Sequence, residues 1–109
     1  MELRRTPRAP IDLLVEFAPK SLTSDRRGGR AKDISIGGMF VETSEPPAFG
    51  AEVVVEFTLP GQRASFVLPG VVRWTDRDGM GVQFQTLSAR ETFAITELTV
   101  SSLRAPTPT

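Results

Sequence analysis

The chain has 109 residues, 13 basic and 13 acidic side chains, a formal net charge of zero, and neither cysteine nor histidine. This length makes one domain with one core, and the charge balance gives no global reason for a nucleic-acid or acidic-membrane partner. Disulfides, thiolate nucleophiles, zinc sites and imidazole catalysis are excluded by composition.

The start, Met1-Glu2-Leu3-Arg4, lacks the apolar core of a signal peptide, and no apolar run approaches membrane-spanning length, so a cytoplasmic protein is expected. Residues 1–10 hold Arg4, Arg5, Arg8, Pro7 and Pro10 without apolar periodicity and read as an extended arm. A first strand follows, with Ile11, Leu13, Val15 and Phe17 alternating onto one face. Residues 19–29, polar and glycine-containing, read as a long hairpin loop, and residues 30–35 as a short second strand. A third strand at Met39–Thr43 stops before Glu45-Pro46-Pro47 and a turn at Gly50.

In the fourth strand Val53, Val55, Phe57 and Leu59 alternate with Glu52, Val54, Glu56 and Thr58. The fifth spans Ala64–Trp74, where Pro69-Gly70 predicts a bulge or bend. A turn at Asp76–Gly79 leads into the sixth, Met80–Phe84. Six strands on short links predict an antiparallel barrel or sandwich. Ser88 and Glu91 form a capping box, so a helix should run from about Ala89 to about Leu103. Ala94, Ile95 and Leu98 share the side that can close the barrel. Phe93, Val100 and Leu103 fall on another side, either a fraying end or a surface for weak self-association, giving a monomer or weak homodimer. Residues 104–109 read as a disordered tail.

Two clusters carry the functional argument. Asp33-x-Ser35-x-x-Gly38, with Gly37 beside Gly38, packs an acid, a hydroxyl and adjacent glycines between two apolar runs. One glycine suffices for a positive φ in a tight turn; a second lets another group approach the backbone. A hairpin centred near residue 23 sets residue 11 opposite about residue 35, which brings the arginine arm to this turn. Guanidinium forks suit phosphate oxygens or the O6/N7 edge of guanine, and a carboxylate accepts from guanine's N1–H and N2–H₂. The combination suits a guanine nucleotide; the competing readings are an ordinary turn and solvated terminal charges.

Arg4-x-x-x-Arg8 followed by Asp33-x-Ser35-x-x-Gly38 resembles the paired signature of PilZ domains, bacterial receptors for cyclic di-GMP. The resemblance covers roughly residues 2–100 and includes Gly70-Val71-Val72-Arg73-Trp74 and Gly79-Met80-Gly81-Val82-Gln83-Phe84. It implies a six-stranded antiparallel β-barrel with a C-terminal α-helix. It also implies that Arg4 and Arg8 grip guanines and phosphates, that Asp33 and Ser35 bind the base and its surroundings, and that Gly38 leaves room. Arg5 and Gly37 join the candidate ligand-binding set. The expected function is binding cyclic di-GMP and relaying occupancy to an unidentified downstream protein. Some PilZ-like domains instead act as adaptors in motility or pilus systems without nucleotide.

Other chemistries have less support. Asp76 with Asp78, and Glu52 with Glu56, read as a turn and a solvated face rather than a catalytic pair, so no enzymatic activity and no metal or cofactor is expected. The aromatics are core-spaced, unlike a nucleic-acid stacking platform. Trp74 reads as a barrel or rim aromatic.

Overall fold

A strand with one buried face must alternate apolar and polar residues, because successive side chains point to opposite sides. The computed structural model describes residues 8–103 and shows six such strands and one helix. They are β1 (Ala9–Pro19), β2 (Arg27–Ser35), β3 (Gly38–Glu42), β4 (Glu52–Phe57), β5 (Phe66–Asp76), β6 (Gly79–Phe84) and α1 (Ala89–Leu103). All pairings are antiparallel and the strands close as β1-β2-β3-β6-β5-β4, with β4 returning to β1, so the barrel rather than the sandwich is formed. In β1, Val15 and Phe17 are buried and Ile11 and Leu13 half-buried, while Asp12, Leu14 and Glu16 face solvent. Phe17, Ile34, Met39, Phe66, Leu68 and Met80 fill much of the interior.

The barrel departs from the sequence reading at three places. Ala9 and Pro10, expected in the arm, open β1: Ala9 is buried and pairs with Ile34, and Pro10 pairs with Asp33. The first hairpin is also tighter than expected. Its glycines belong to β2, with Gly28 opposite Glu16 and Gly29 opposite Val15. A Cβ at Gly29 would lie 2.7 Å from both the Glu42 carbonyl oxygen and Val41 Cγ1, so that glycine serves strand packing, not a loop. The third departure concerns Pro69-Gly70, which pairs regularly with Val54 and Val53; the register shift in β5 falls instead between Val72 and Trp74. Proline is tolerated there because the β5–β6 pairing ends at Gly70–Phe84, and its carbonyl still accepts the Gln85 N–H (2.9 Å) just beyond.

The helix begins and ends where the sequence puts it. Ser88 Oγ accepts the Glu91 N–H (3.2 Å) and Glu91 Oε1 accepts the Ser88 N–H (2.8 Å), a reciprocal capping box. Ala94 and Ile95 are buried, Leu98 is half-buried, and α1 packs on β1 and β2. Thr99 is buried too, its hydroxyl donating to the Thr96 carbonyl (3.0 Å). Phe93 (67% exposed) and Val100 lie outside; the Leu103 side chain and the tail 104–109 lie outside the described residues.

The acids considered as catalytic pairs have other partners. Asp76 Oδ1 accepts the N–H groups of Asp78 (2.7 Å) and Gly79 (3.1 Å), closing the β5–β6 turn. Glu52 pairs with Lys20 (3.5 Å). Arg26 bridges Glu16 of β1 and Glu56 of β4, and its hydrogen bond, helped by the Ser65 hydroxyl, holds the Glu56 carboxyl below the usual range. No helix among the described residues is long and apolar enough to cross a membrane.

Because Ile95 is fully buried between α1 and the barrel, Ile95→Ala should cost about 2–5 kcal/mol. For a domain of this size that lowers the thermal midpoint by about 10 °C or more. A midpoint within a degree or two of the parent would show that α1 does not close the core.

Candidate functional site

The β1–β2 register decides which groups meet. With Ala9 opposite Ile34, Arg8 falls beside Ser35, not three residues further along as the wider hairpin implied. Arg8 Nη2 donates to Asp33 Oδ1 at 2.6 Å and Nη1 to Ser35 Oγ at 3.4 Å. Asp33 Oδ1 also accepts the Phe40 N–H at 3.2 Å, which anchors the carboxylate to β3. Both members of the ion pair keep about a third of their side-chain surface in solvent (31% and 35%), so the pair orients more than it stabilises.

Ser35 is fully buried and is not a wall of the adjoining cleft. Its Oγ accepts the Gly37 N–H at 3.0 Å as well as the bond from Arg8, so it shapes the Ile36–Gly37 turn and steadies the guanidinium. The Gly37 carbonyl then accepts the Phe84 N–H (2.9 Å), tying the turn to the end of β6.

The two glycines differ from the expectation and from each other. Neither has a positive φ; among the described residues only Gly50 and Gly61 do. A Cβ on Gly38 would fall on the Val82 carbonyl oxygen, well inside van der Waals contact, so Gly38 is required by the pairing of β3 with β6. A Cβ on Gly37 would meet only Ser35 Oγ, at 3.6 Å. Of the pair, Gly37 is the one whose missing side chain leaves open space.

Arg8, Asp33, Gly37 and Gly38 line one side of a cleft of about 410 Å³, and Met39, Phe40, Arg73, Trp74, Asp76, Gly81, Val82 and Gln83 line the rest. Trp74 stacks on Phe40 with ring centroids 5.3 Å apart and planes 14° apart. It can lie there because Gly81 has no Cβ; one would collide with the indole Nε1. Arg73 Nε donates to Gln83 Oε1 (2.5 Å), which holds a second guanidinium at the opposite rim. The cleft thus offers two cationic forks, the Asp33 carboxylate, exposed backbone and an aromatic surface, with a second carboxylate, Asp76, engaged by the N–H groups of its own turn. The set suits a flat, hydrogen-bonding, anionic ligand.

Two β-bulges aim these groups. Between Ala31 and Asp33 the register of β2 on β3 shifts, making Lys32 the extra residue; between Val72 and Trp74 the register of β5 on β6 shifts, making Arg73 the extra one. Such bulges turn side chains out of strict alternation. Sequence reasoning found Arg8, Asp33, Ser35 and the glycines by spacing, and missed Phe40, Arg73 and Gln83. The signal it could have used for Trp74 is the pairing of a lone tryptophan with the glycine-rich Gly79-Met80-Gly81 segment. Arg4 and Arg5 lie outside the described residues. Among the described residues no cluster of three or more acids could hold a metal ion.

The glycines yield a paired expectation. Gly38→Ala should destabilise the barrel by about 1–3 kcal/mol through overpacking, whereas Gly37→Ala should leave the melting temperature nearly unchanged. Equal melting curves for both variants would contradict the close approach of β6 to Gly38.

Known proteins extend this picture. Solved structures share the fold, and three of them illustrate it. The PilZ domain with c-di-GMP of YcgR from Escherichia coli matches at a TM-score of 0.70 and 17% identity, over 94% of this chain and 93% of that one. The PilZ domain of CeSA from a cellulose-synthesizing bacterium matches at 0.68 and 22%, over 86% and 95%. The inhibitor of motility MotI/DgrA of Bacillus subtilis matches at 0.72 and 19%, over 92% of this chain but only 51% of that one, so this chain spans about half the length of that protein. No curated protein matches the sequence significantly. The PilZ domain family model matches residues 2–100, nearly the whole chain, and with the closed six-stranded barrel and its following helix this makes the chain a member of the PilZ domain family.

Proposed function

We propose that this chain is a receptor for cyclic di-GMP that relays occupancy to a downstream protein. The observation that carries the reading is the convergence of Arg8, just before β1, on Asp33 and Ser35 of β2, beside a cleft that Arg8, Asp33 and Trp74 line. Support also comes from the family and from its neighbours that carry this ligand, YcgR of E. coli and MrkH of K. pneumonia.

In this reading Arg8 turns its fork from Asp33 towards a phosphate or the O6/N7 edge of guanine, and Asp33 accepts from the N1–H and N2–H₂ edge. Ser35 acts through Arg8 and the Gly37 turn, being buried itself. Gly37 admits the ligand to the backbone. Arg4, four residues before Arg8, supplies the motif's second guanidinium, and Arg5 an additional cation. A ligand held between these arginines and the cleft forms a composite surface of peptide, nucleotide and barrel for a partner to read.

The second reading is a ligand-independent adaptor. It is favoured by the direct Arg8–Asp33 ion pair, in which each group already satisfies the other.

Calorimetric titration with cyclic di-GMP separates the two: saturable binding supports the receptor, and none at high concentration leaves the adaptor. Each charge-assisted contact is worth about 1.5–3 kcal/mol, so Arg8→Ala should weaken binding by about ten- to a hundredfold while the protein still melts cooperatively. Trp74 is the one tryptophan in the chain, so its fluorescence should change on titration with the same midpoint as the heat. An Arg8→Ala protein that binds like the parent would place the site elsewhere.

A further inference from the structure

Neither the barrel nor the cleft uses the outer face of α1. Ala89, Phe93, Thr96 and Val100 recur at steps of four, three and four residues, the spacing of a coiled-coil seam, and all four are exposed. Ala94 and Ile95 are buried against the barrel, so the seam points away from it. Phe93 at 67% exposure is a large apolar side chain to leave in water.

We propose that this seam is a self-association surface, through which two copies of the chain pair by antiparallel α1 helices about a two-fold axis. Its residues alternate in size: the larger Phe93 and Val100 take one set of seam positions, the smaller Ala89 and Thr96 the other. An antiparallel pair sets one set against the other. In a single register Phe93 lies on the partner's Thr96 and Val100 on the partner's Ala89, so large meets small along the whole seam.

That same register brings the flanking charges together. Arg90 falls beside the partner's Glu97, and the two-fold repeats the contact with the roles exchanged. Among the described residues neither Arg90 nor Glu97 has an ion-pair partner in its own chain. Arg90 lies over the Phe66 ring, 4.8 Å from its centroid, which holds the cation on that flank of the helix. A parallel pair would put Phe93 on the partner's Phe93 and leave Arg90 and the partner's Glu97 on opposite edges of the seam. Size and charge therefore select one orientation. The seam is short, below the size of a stable interface, so association is weak and concentration-dependent.

Sedimentation velocity on the whole chain from about 10 μM to about 1 mM tests this, a range set by the affinity expected of a small interface. A dimer should accumulate with concentration, and Phe93→Glu should abolish it without altering the thermal midpoint. Arg90→Glu and Glu97→Arg should each weaken association by about tenfold, because both symmetric contacts become like-charged. Mixing those two variants should restore association as a heterodimer, one chain presenting acids at both positions and the other bases. A parent chain that stays monomeric throughout overturns the proposal, as does a mixture no tighter than either variant alone. The chain has no native cysteine, so orientation is testable separately: Ala89→Cys should not cross-link on oxidation, and ready disulfide formation would indicate a parallel pair.

Discussion

The close approach of β6 to the strands on either side of it is the constraint on which both barrel and cleft depend. On one side Gly38 of β3 faces the Val82 carbonyl with no room for a Cβ; on the other Gly81 lies under the Trp74 indole. Fill the first vacancy and β3 is pushed away from β6, which strains the closure of the ring. Fill the second and the indole is driven off Phe40. The wall of the cleft in this region is accordingly backbone, with side chains standing around it. A surface of that kind lets a flat ligand reach peptide groups that side chains would otherwise cover.

The bulges complete this arrangement. A regular strand sends alternate residues inward, and a barrel this small needs those positions for its core. Inserting Lys32 and Arg73 as extra residues breaks the alternation locally while the flanking residues stay in register. Ala31, Ile34, Val71 and Val72 remain buried on either side, and Asp33 and Trp74 are delivered to the cleft. Site and core thus share the same two strands without competing for positions.

Much of this was legible in the sequence, for identifiable reasons. The helix is bounded by a capping box and an apolar face, both local signals, and its limits agree with the structure. Strand alternation identified β1 and β4, and the spacing of Arg8, Asp33 and Ser35 identified three groups that do converge. Register was misread because Gly28 and Gly29, residues that usually mark loops, lie in β2, where Gly29 makes room for β3. The same ambiguity hid the role of Gly38, which a motif reading gives to ligand access and the geometry gives to the neighbouring strand. Phe40, Arg73 and Gln83 were invisible because only cross-strand pairing brings three different strands to one cleft.

On the receptor reading, the stiffness of the parts bears on how a bound molecule would be reported. α1 packs on β1, which Arg8 immediately precedes, and on β2, which carries Asp33, so a contiguous path runs from cleft to helix. Transmission along it would require those strands to shift, and a strand shift has discrete costs: sliding β1 by one residue exchanges its buried and exposed faces. It would bring Asp12 and Glu16 inward and turn Val15 and Phe17 outward. Fully buried Ile34 and Ile95, from β2 and α1, likewise leave little space to absorb small movements. Reorienting Arg8 requires only breaking a partly exposed ion pair, a far smaller cost. The energetics therefore favour a signal that is built on the surface at the cleft rim over one conducted through the barrel.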